Sequence, residues 1–402
     1  MITYKEISEA NKILEGVVKN TSLKKSKTFS EMTGSTVFLK MENLQLTGSF
    51  KIRGAYNKIY HLTEEEKKNG VVCSSAGNHA QGVALASNML DVKSTVFMPV
   101  FAPPTKILAT KGYGANVILE GNTFDDAFKA AKKFSIDNTV SFVHAFNDKH
   151  VIGGQGIIGI EIYDTLKDVD IVTVPIGGGG LISGVSIALK HLKPDVKIIG
   201  VEAVGAQAML KSVKAKKIVP MRGMATIADG IAVKNPGELT FGIIEKYVDE
   251  IVTVNDNEIA QTMYHLLQRA KLVVEPAGAV SLAAILNKKI SYPEKNIVAI
   301  LSGDNVNLSL LNQVIEQGMM YNNLMGRISI IAPDRPKILK DILTVLSSIN
   351  ANVQNIIQDR STTSVPVGHV KITLTFQILG KDQIEYIIEE LNKKNLKCEI
   401  CC

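Results

Sequence analysis

From about residue 35 to 315, short β-rich runs alternate with helical patterns, and this alternation restricts the fold more than any other feature. Strands are predicted at 36–40, 71–74, 94–98, 116–119, 171–175, 197–201 and 297–301, with amphipathic segments such as 80–90 and 124–135 between them. Strands joined through helices pair in parallel and are covered by helices on both faces, which places the chain in the α/β class. Several of these strands end in glycine-bearing loops that lead into helices. In open α/β sheets, ligands bind at those carboxyl ends.

After Tyr321-Asn322-Asn323 the rhythm changes. A strand at 327–332 precedes a helix at 336–350 with Ile338, Leu339, Ile342, Leu343 and Leu346 on one face. Strands at 353–358 and 370–379, a helix at 382–391 and a strand at 396–401 follow. The order β-α-β-β-α-β is that of a ferredoxin-like unit with its own core. The expected division is 1–320 for the α/β body and 326–402 for this second domain.

Composition removes several function classes. Hydrophobic residues at 46% and charged residues at 21% suit a globular protein, not a disordered or disulfide-scaffold one. With no Trp and 5% aromatics, a base-stacking platform is not expected. The basic runs Lys24-Lys25-Ser26-Lys27 and Lys211 to Lys217 are short and read as solvated faces, so no nucleic-acid partner is expected. The uncharged stretch 171–189 holds Pro175 and four consecutive glycines, which suits strand, loop and helix better than a bilayer span. The N-terminal residues carry no apolar core segment of a signal peptide. Cys73 is internal, and Cys398, Cys401 and Cys402 form a tail with a single CxxC and no neighbouring His, so no metal site is expected. A cytoplasmic, reduced protein is the expectation.

Four loops carry the chemistry. In Thr47-Gly48-Ser49-Phe50-Lys51-Ile52-Arg53-Gly54-Ala55, Gly48 and Ser49 are plausible helix starters ahead of Lys51 on the edge of an apolar helix. Partial burial depresses a lysine pKa and makes the amine a nucleophile and base; a plain surface lysine is the alternative. Ser74-Ser75-Ala76-Gly77-Asn78-His79 follows a strand and opens a helix, leaving N–H groups free for a carboxylate or phosphate. His79 reads as a hydrogen-bonding residue before it reads as a base. Gly177, Gly178, Gly179 and Gly180, followed by Leu181, form a third strand-to-helix loop whose N–H groups suit one phosphate monoester. It matches neither dinucleotide nor NTP motifs. Ser302-Gly303-Asp304-Asn305 follows the strand at 297–301. An imine-forming lysine, a phosphate cradle, an amide and a hydroxyl together suggest pyridoxal phosphate.

The set GSFKIRGA, SAGNHAQG, GGGGL and SGDN resembles the fold-type II pyridoxal-phosphate enzymes, and among them the threonine dehydratases (threonine ammonia-lyases). The last 76 residues resemble an ACT regulatory domain, with Pro333-Asp334-Arg335-Pro336 as its first loop. The resemblance implies a tryptophan synthase β-like body of two parallel-sheet subdomains, the smaller inserted at about 48–150, plus the ACT domain. It implies Lys51 as the residue that holds the cofactor as a Schiff base and takes the Cα proton, with Phe50 beside it and Asn78 on the ring hydroxyl. Gly177 to Leu181 would hold the phosphate and Ser302 would face the pyridine nitrogen. Ser75, Asn78 and His79 would hold the substrate carboxylate, and Asp334, Arg335 and Asn352 an effector.

Three positions depart from the family pattern. Asp304 stands where a small residue is usual. Ala76 stands where similar serine racemases place a second catalytic serine, so poor racemisation is expected. Glu202 is followed six residues on by Ala208, not by an Asp, so a racemase-type cation site would be incomplete. The implied activity is dehydration of L-threonine and L-serine, in isoleucine synthesis or threonine catabolism, under an amino-acid or nucleotide effector, by a homo-oligomer (dimer or tetramer). Threonine synthase or a cysteine-forming β-replacement enzyme is the rival within the class, and a non-catalytic amino-acid sensor the rival outside it.

Overall fold

The computed structural model describes residues 2–401, which divide into two compact units at Val306/Asn307. The first unit holds two sheets. The strands in chain order are β1 (Leu23–Lys25), β2 (Thr36–Lys40), β3 (Val71–Ser74), β4 (Ser94–Met98), β5 (Asn116–Leu119), β6 (Ser141–Phe142), β7 (Ile171–Pro175), β8 (Lys197–Ala203), β9 (Glu250–Val254) and β10 (Asn296–Ile300). The larger sheet has the order β1-β2-β10-β7-β8-β9 and is parallel except for β1. The smaller, β5-β4-β3-β6, is parallel throughout and is formed by residues 71–142. Val172, Val174, Val298 and Ile300 are fully buried, as expected of strands covered on both faces.

A charged cluster is sealed into this unit. Arg53, fully buried, donates from Nε and Nη2 to Glu42 at 2.7 and 2.8 Å and from Nη1 to Glu161 at 2.6 Å. Lys40 also pairs with Glu161. Burial pushes the Glu42 carboxyl up, but the Arg53 charge and hydrogen bonds outweigh it and hold the group below its usual range. The cluster ties β2 and the turn after it to the helices Lys51–Tyr60 and Lys149–Thr165.

The second unit, residues 307–401, opens with the helix Leu308–Tyr321. The helix falls within the 1–320 expected of the α/β body, yet it groups with the C-terminal sheet. Strands β11 (Met325–Pro333), β12 (Asn352–Asp359), β13 (His369–Gln377) and β14 (Cys398–Ile400) form an antiparallel sheet in the order β12-β13-β11-β14. Helices Ile338–Ser348 and Lys381–Lys393 complete the β-α-β-β-α-β order. The first starts two residues later than expected because Lys337 is left-handed, with φ +90°. Ile330, Ile342, Leu346, Leu374, Phe376 and Leu391 form its core. Cys398 and Cys401 are free thiols, and Cys402 lies outside the described residues. Among the described residues, no helix is long and apolar enough to cross a membrane.

Candidate active site

Strand order explains why distant loops meet. β2, β10 and β7 are neighbours in parallel, so the loops leaving their carboxyl ends lie side by side. These carry Lys51, Ser302 and the four glycines; the loop after β3 of the smaller sheet adds Ser75 and Asn78. All converge on a cavity of about 510 Å³. Phe50, Lys51, Ser75, Asn78, His79, Gly177, Gly178, Gly179, Gly180, Leu181 and Ser302 all line it.

The helix that carries Lys51 begins at Lys51 itself, after Phe50 with φ −61°, and has no side-chain cap. Ser49, expected as a starter, is extended and bridges Gly303 of the loop after β10. Lys51 Nζ donates to the Ala145 carbonyl at 3.1 Å and lies 5.0 Å from the Phe50 ring centroid. Burial pulls its pKa down to about 8, with Glu275 opposing. Roughly a tenth of the amine is therefore free at pH 7, and more as pH rises, against a negligible share for an ordinary lysine.

Among the described residues, the N–H groups from Gly177 to Leu181 have no hydrogen-bond partner within the protein. Gly179 has φ +93°, and a methyl group there would sit 2.8 Å from Ile244 Cδ1 and 2.9 Å from Thr240 Cβ. The loop ends at the helix Gly180–Leu192, whose dipole adds positive potential. Asn78 and His79 start the helix Asn78–Met89, so their N–H groups also face forward without helical partners.

His79 Nε2 lies 2.9 Å from the Val143 carbonyl, and burial lowers its pKa to about 3. The ring is a neutral donor to that backbone, so what His79 offers the cavity is its N–H. Asp304 is turned away: Ser302 and Asn305 line the cavity, while the Asp304 carboxyl lies where a methyl on Gly48 would sit 1.9 Å from Oδ1. Burial raises that carboxyl to about 6. Ala76 lines the cavity. Glu202, raised by burial to about 7, accepts from Met209 N and Leu210 N at 3.0 and 2.8 Å. No three His, Cys, Asp or Glu side chains cluster as a metal site among the described residues.

The expected effector residues do not share one place. β12 starts at Asn352, opposite Gln377, which pairs with Met325 at the start of β11. Asp334 follows Pro333 at the other end of β11, opposite His369. Because the helix Ile338–Ser348 runs back along the sheet, Asn352 is about 25 Å of strand away, at ~3.3 Å per residue. Arg360 takes its place beside Asp334, with Nε and Nη2 donating to the carboxylate at 2.7 and 3.0 Å. Arg335 is exposed in the same loop.

Several other residues line the cavity without belonging to any of the four loop motifs. Glu275 is buried and accepts from Asn78 Nδ2 at 2.7 Å. Lys106–Asp229 (3.2 Å) and Lys234–Asp125 (2.6 Å) are ion pairs that join elements of the smaller sheet to segment 221–236 at the cavity. The only local hint at Glu275 is its place ahead of Pro276, which reads as an ordinary acidic helix start.

Residues 14–303 match the family of pyridoxal-phosphate dependent enzymes, and residues 321–395 match the ACT domain. The chain belongs to the pyridoxal-phosphate dependent enzymes. Within that family it is similar to the L-threonine ammonia-lyase of Thermotoga maritima, at 47% identity over 100% of both chains. It is also similar to two solved structures. The serine racemase of maize aligns with a TM-score of 0.75 and 34% identity, over 80% of this chain and 98% of that one. The processed threonine deaminase isoform 2 of Solanum lycopersicum aligns with a TM-score of 0.75 and 37% identity, over 79% and 88%. The fold-type II body and the ACT domain expected from the motifs are both present. The cavity suits the pyridoxal phosphate of this family: its unpartnered N–H groups could receive a phosphate, and its depressed-pKa amine could form an imine with an aldehyde. Asn78 Oδ1 is buried and has no hydrogen-bond partner among the described residues.

Proposed function

We propose that this pyridoxal-phosphate dependent lyase is an L-threonine ammonia-lyase that also accepts L-serine and converts threonine to 2-oxobutanoate and ammonia. The observation that carries the reading is Lys51: a partly deprotonated amine in the same cavity as five free N–H groups and a second helix N-terminus. Similarity to threonine ammonia-lyase over the whole chain supports the choice of substrate.

When bound, pyridoxal phosphate withdraws electron density from the amino acid's Cα, which makes its proton acidic. Lys51 Nζ would hold the cofactor until the substrate's amino group replaces it, and the freed amine would then receive that proton. The N–H groups of Gly177, Gly178, Gly179, Gly180 and Leu181 would hold the phosphate. Ser302 would offer the ring nitrogen a neutral hydroxyl, Asn78 would meet the ring hydroxyl, and Phe50 packs beside Lys51. Ser75, Asn78 and the His79 N–H hold the substrate carboxylate and orient the Cα–H bond toward Lys51. The ion pairs Lys106–Asp229 and Lys234–Asp125 bridge the rim of the cavity.

The ACT unit binds an amino-acid or nucleotide effector at the Asp334–Arg335 loop. The chain works as a homo-oligomer in a reducing compartment such as the cytoplasm. The edge strand β12 with exposed Ile356 and Ile357 supports association of copies, and the free thiols support the compartment.

The test is threonine turnover by wild type and Lys51→Ala, each titrated with isoleucine, valine and AMP. Lys51→Ala should fold, lose the absorbance of lysine-bound cofactor and release no ammonia. Lys51→Arg should not rescue it, because a guanidinium stays protonated. Substantial turnover by Lys51→Ala would refute the role of Lys51, and turnover indifferent to every effector would refute the regulatory role.

A further inference from the structure

Glu275 sits immediately before the helix Pro276–Leu286 and is 3% exposed, in the wall of the cavity. Its backbone N–H donates to the Gly303 carbonyl at 2.9 Å, which tethers it to the loop that carries Ser302. Its Oε1 accepts from Asn78 Nδ2 at 2.7 Å. A methyl group on Gly303 would sit 2.4 Å from Glu275 Oε1 and 3.0 Å from Asn78 Nδ2, so the missing side chain of Gly303 is the gap in which the two groups meet. The other end of the amide, Asn78 Oδ1, is buried and has no partner among the described residues.

We propose that Glu275 is a positioning residue whose carboxyl group decides which end of the Asn78 amide faces the cofactor ring. This rests on the reading above that the cavity holds pyridoxal phosphate with Asn78 against its ring hydroxyl. An ionised carboxylate can only accept, so it holds the Asn78 NH2 and leaves Oδ1 toward the ring. A protonated carboxyl donates to Oδ1 and leaves the NH2 toward the ring. An amide oxygen favours a ring hydroxyl that keeps its proton; an NH2 favours a deprotonated one. The two states of Glu275 therefore favour opposite protonation states of the ring oxygen.

The surroundings bring this exchange into the working range. Burial raises the Glu275 carboxyl to about 7; the Asp229 carboxylate and, less strongly, Asp304 push the same way. The hydrogen bond from Asn78 and the charge of Lys106 oppose them, and Lys106 is itself paired to Asp229 at 3.2 Å. The Glu275 charge works against burial to raise the Lys51 pKa, and His79 on the Asn78 helix is held neutral.

The experiment records the absorbance of the bound cofactor in the holoenzyme, without substrate, from about pH 5.5 to about pH 9, the range around the raised carboxyl. Wild type should show a spectral step with a midpoint near 7. Glu275→Gln keeps shape and acceptor but cannot titrate, and should lose the step while retaining the cofactor. Should Glu275→Gln fail to fold, Glu275→Asp should keep a step with a displaced midpoint. Asn78→Ala should abolish the step with Glu275 intact. A wild type without a step near 7, a Glu275→Gln that titrates like wild type, a Glu275→Asp that does so, or an Asn78→Ala that keeps the step would each overturn the proposal. Because threonine is absent, a step in an enzyme that does not turn over threonine would refute the substrate assignment and leave this proposal standing.

Discussion

Arg53→Met removes one cation from a sealed cluster of two carboxylates and two cations. The side chains of Arg53 and Glu42 are 0% exposed and that of Glu161 is 9%, so water does not replace the lost guanidinium. Lys40 stays paired to Glu161, leaving Glu42 buried with the Thr21 hydroxyl as its remaining side-chain donor. Breaking such a pair from one side costs about 3–5 kcal/mol. For a unit of about 300 residues with an unfolding entropy of ~2.1 cal/mol/K per residue, that is a fall of about 5–8 °C in Tm.

The sign of the pH dependence follows from the same cluster. In wild type Arg53 holds Glu42 below its usual range; in the variant burial dominates and raises it. A raised folded-state pKa means the folded variant binds more protons than the unfolded chain. Its stability should therefore fall as pH rises from the unfolded value through the raised one. The assay is thermal unfolding of both proteins, saturated with pyridoxal phosphate, at pH values either side of neutrality. The deficit should be larger at the higher pH, and Arg53→Met with Glu42→Gln should recover much of it. A loss below about 1 kcal/mol, or a deficit that ignores pH, would refute the reasoning.

Gly179→Ala forces a side chain into φ +93° against Ile244 and Thr240 and should cost about 1–3 kcal/mol, read by unfolding, with faster cofactor loss on gel filtration. Ala76→Ser places a hydroxyl in the cavity wall and should add slow serine racemisation while dehydration still dominates, read by chiral analysis of residual serine; a wild type that already racemises rapidly would remove the argument. A chain ending at Val306, where the compact units divide, should keep threonine turnover and stop responding to effectors.

Local chemistry determined much of this protein before any fold was known. The β-rich runs at 36–40, 71–74, 94–98, 116–119 and 171–175 coincide with β2, β3, β4, β5 and β7; in β3 and β7, buried along their whole length, the run is apolar because both faces are covered. The four glycines were legible because repeated absence of Cβ has few uses besides a backbone cradle. Other features depend on what arrives from elsewhere in the chain. Ser49 starts no helix because Gly303 pairs with it. Asn352 leaves the Asp334 loop because the helix Ile338–Ser348 runs back along the sheet between them. Glu275 is an ordinary acidic residue before a proline until the fold seals it against Asn78, 197 positions away. Periodicity and backbone preference act between near neighbours and are written in the residues themselves; desolvation and charge pairing belong to the packed interior, so only the tertiary structure could decide what Arg53 and Glu275 would do.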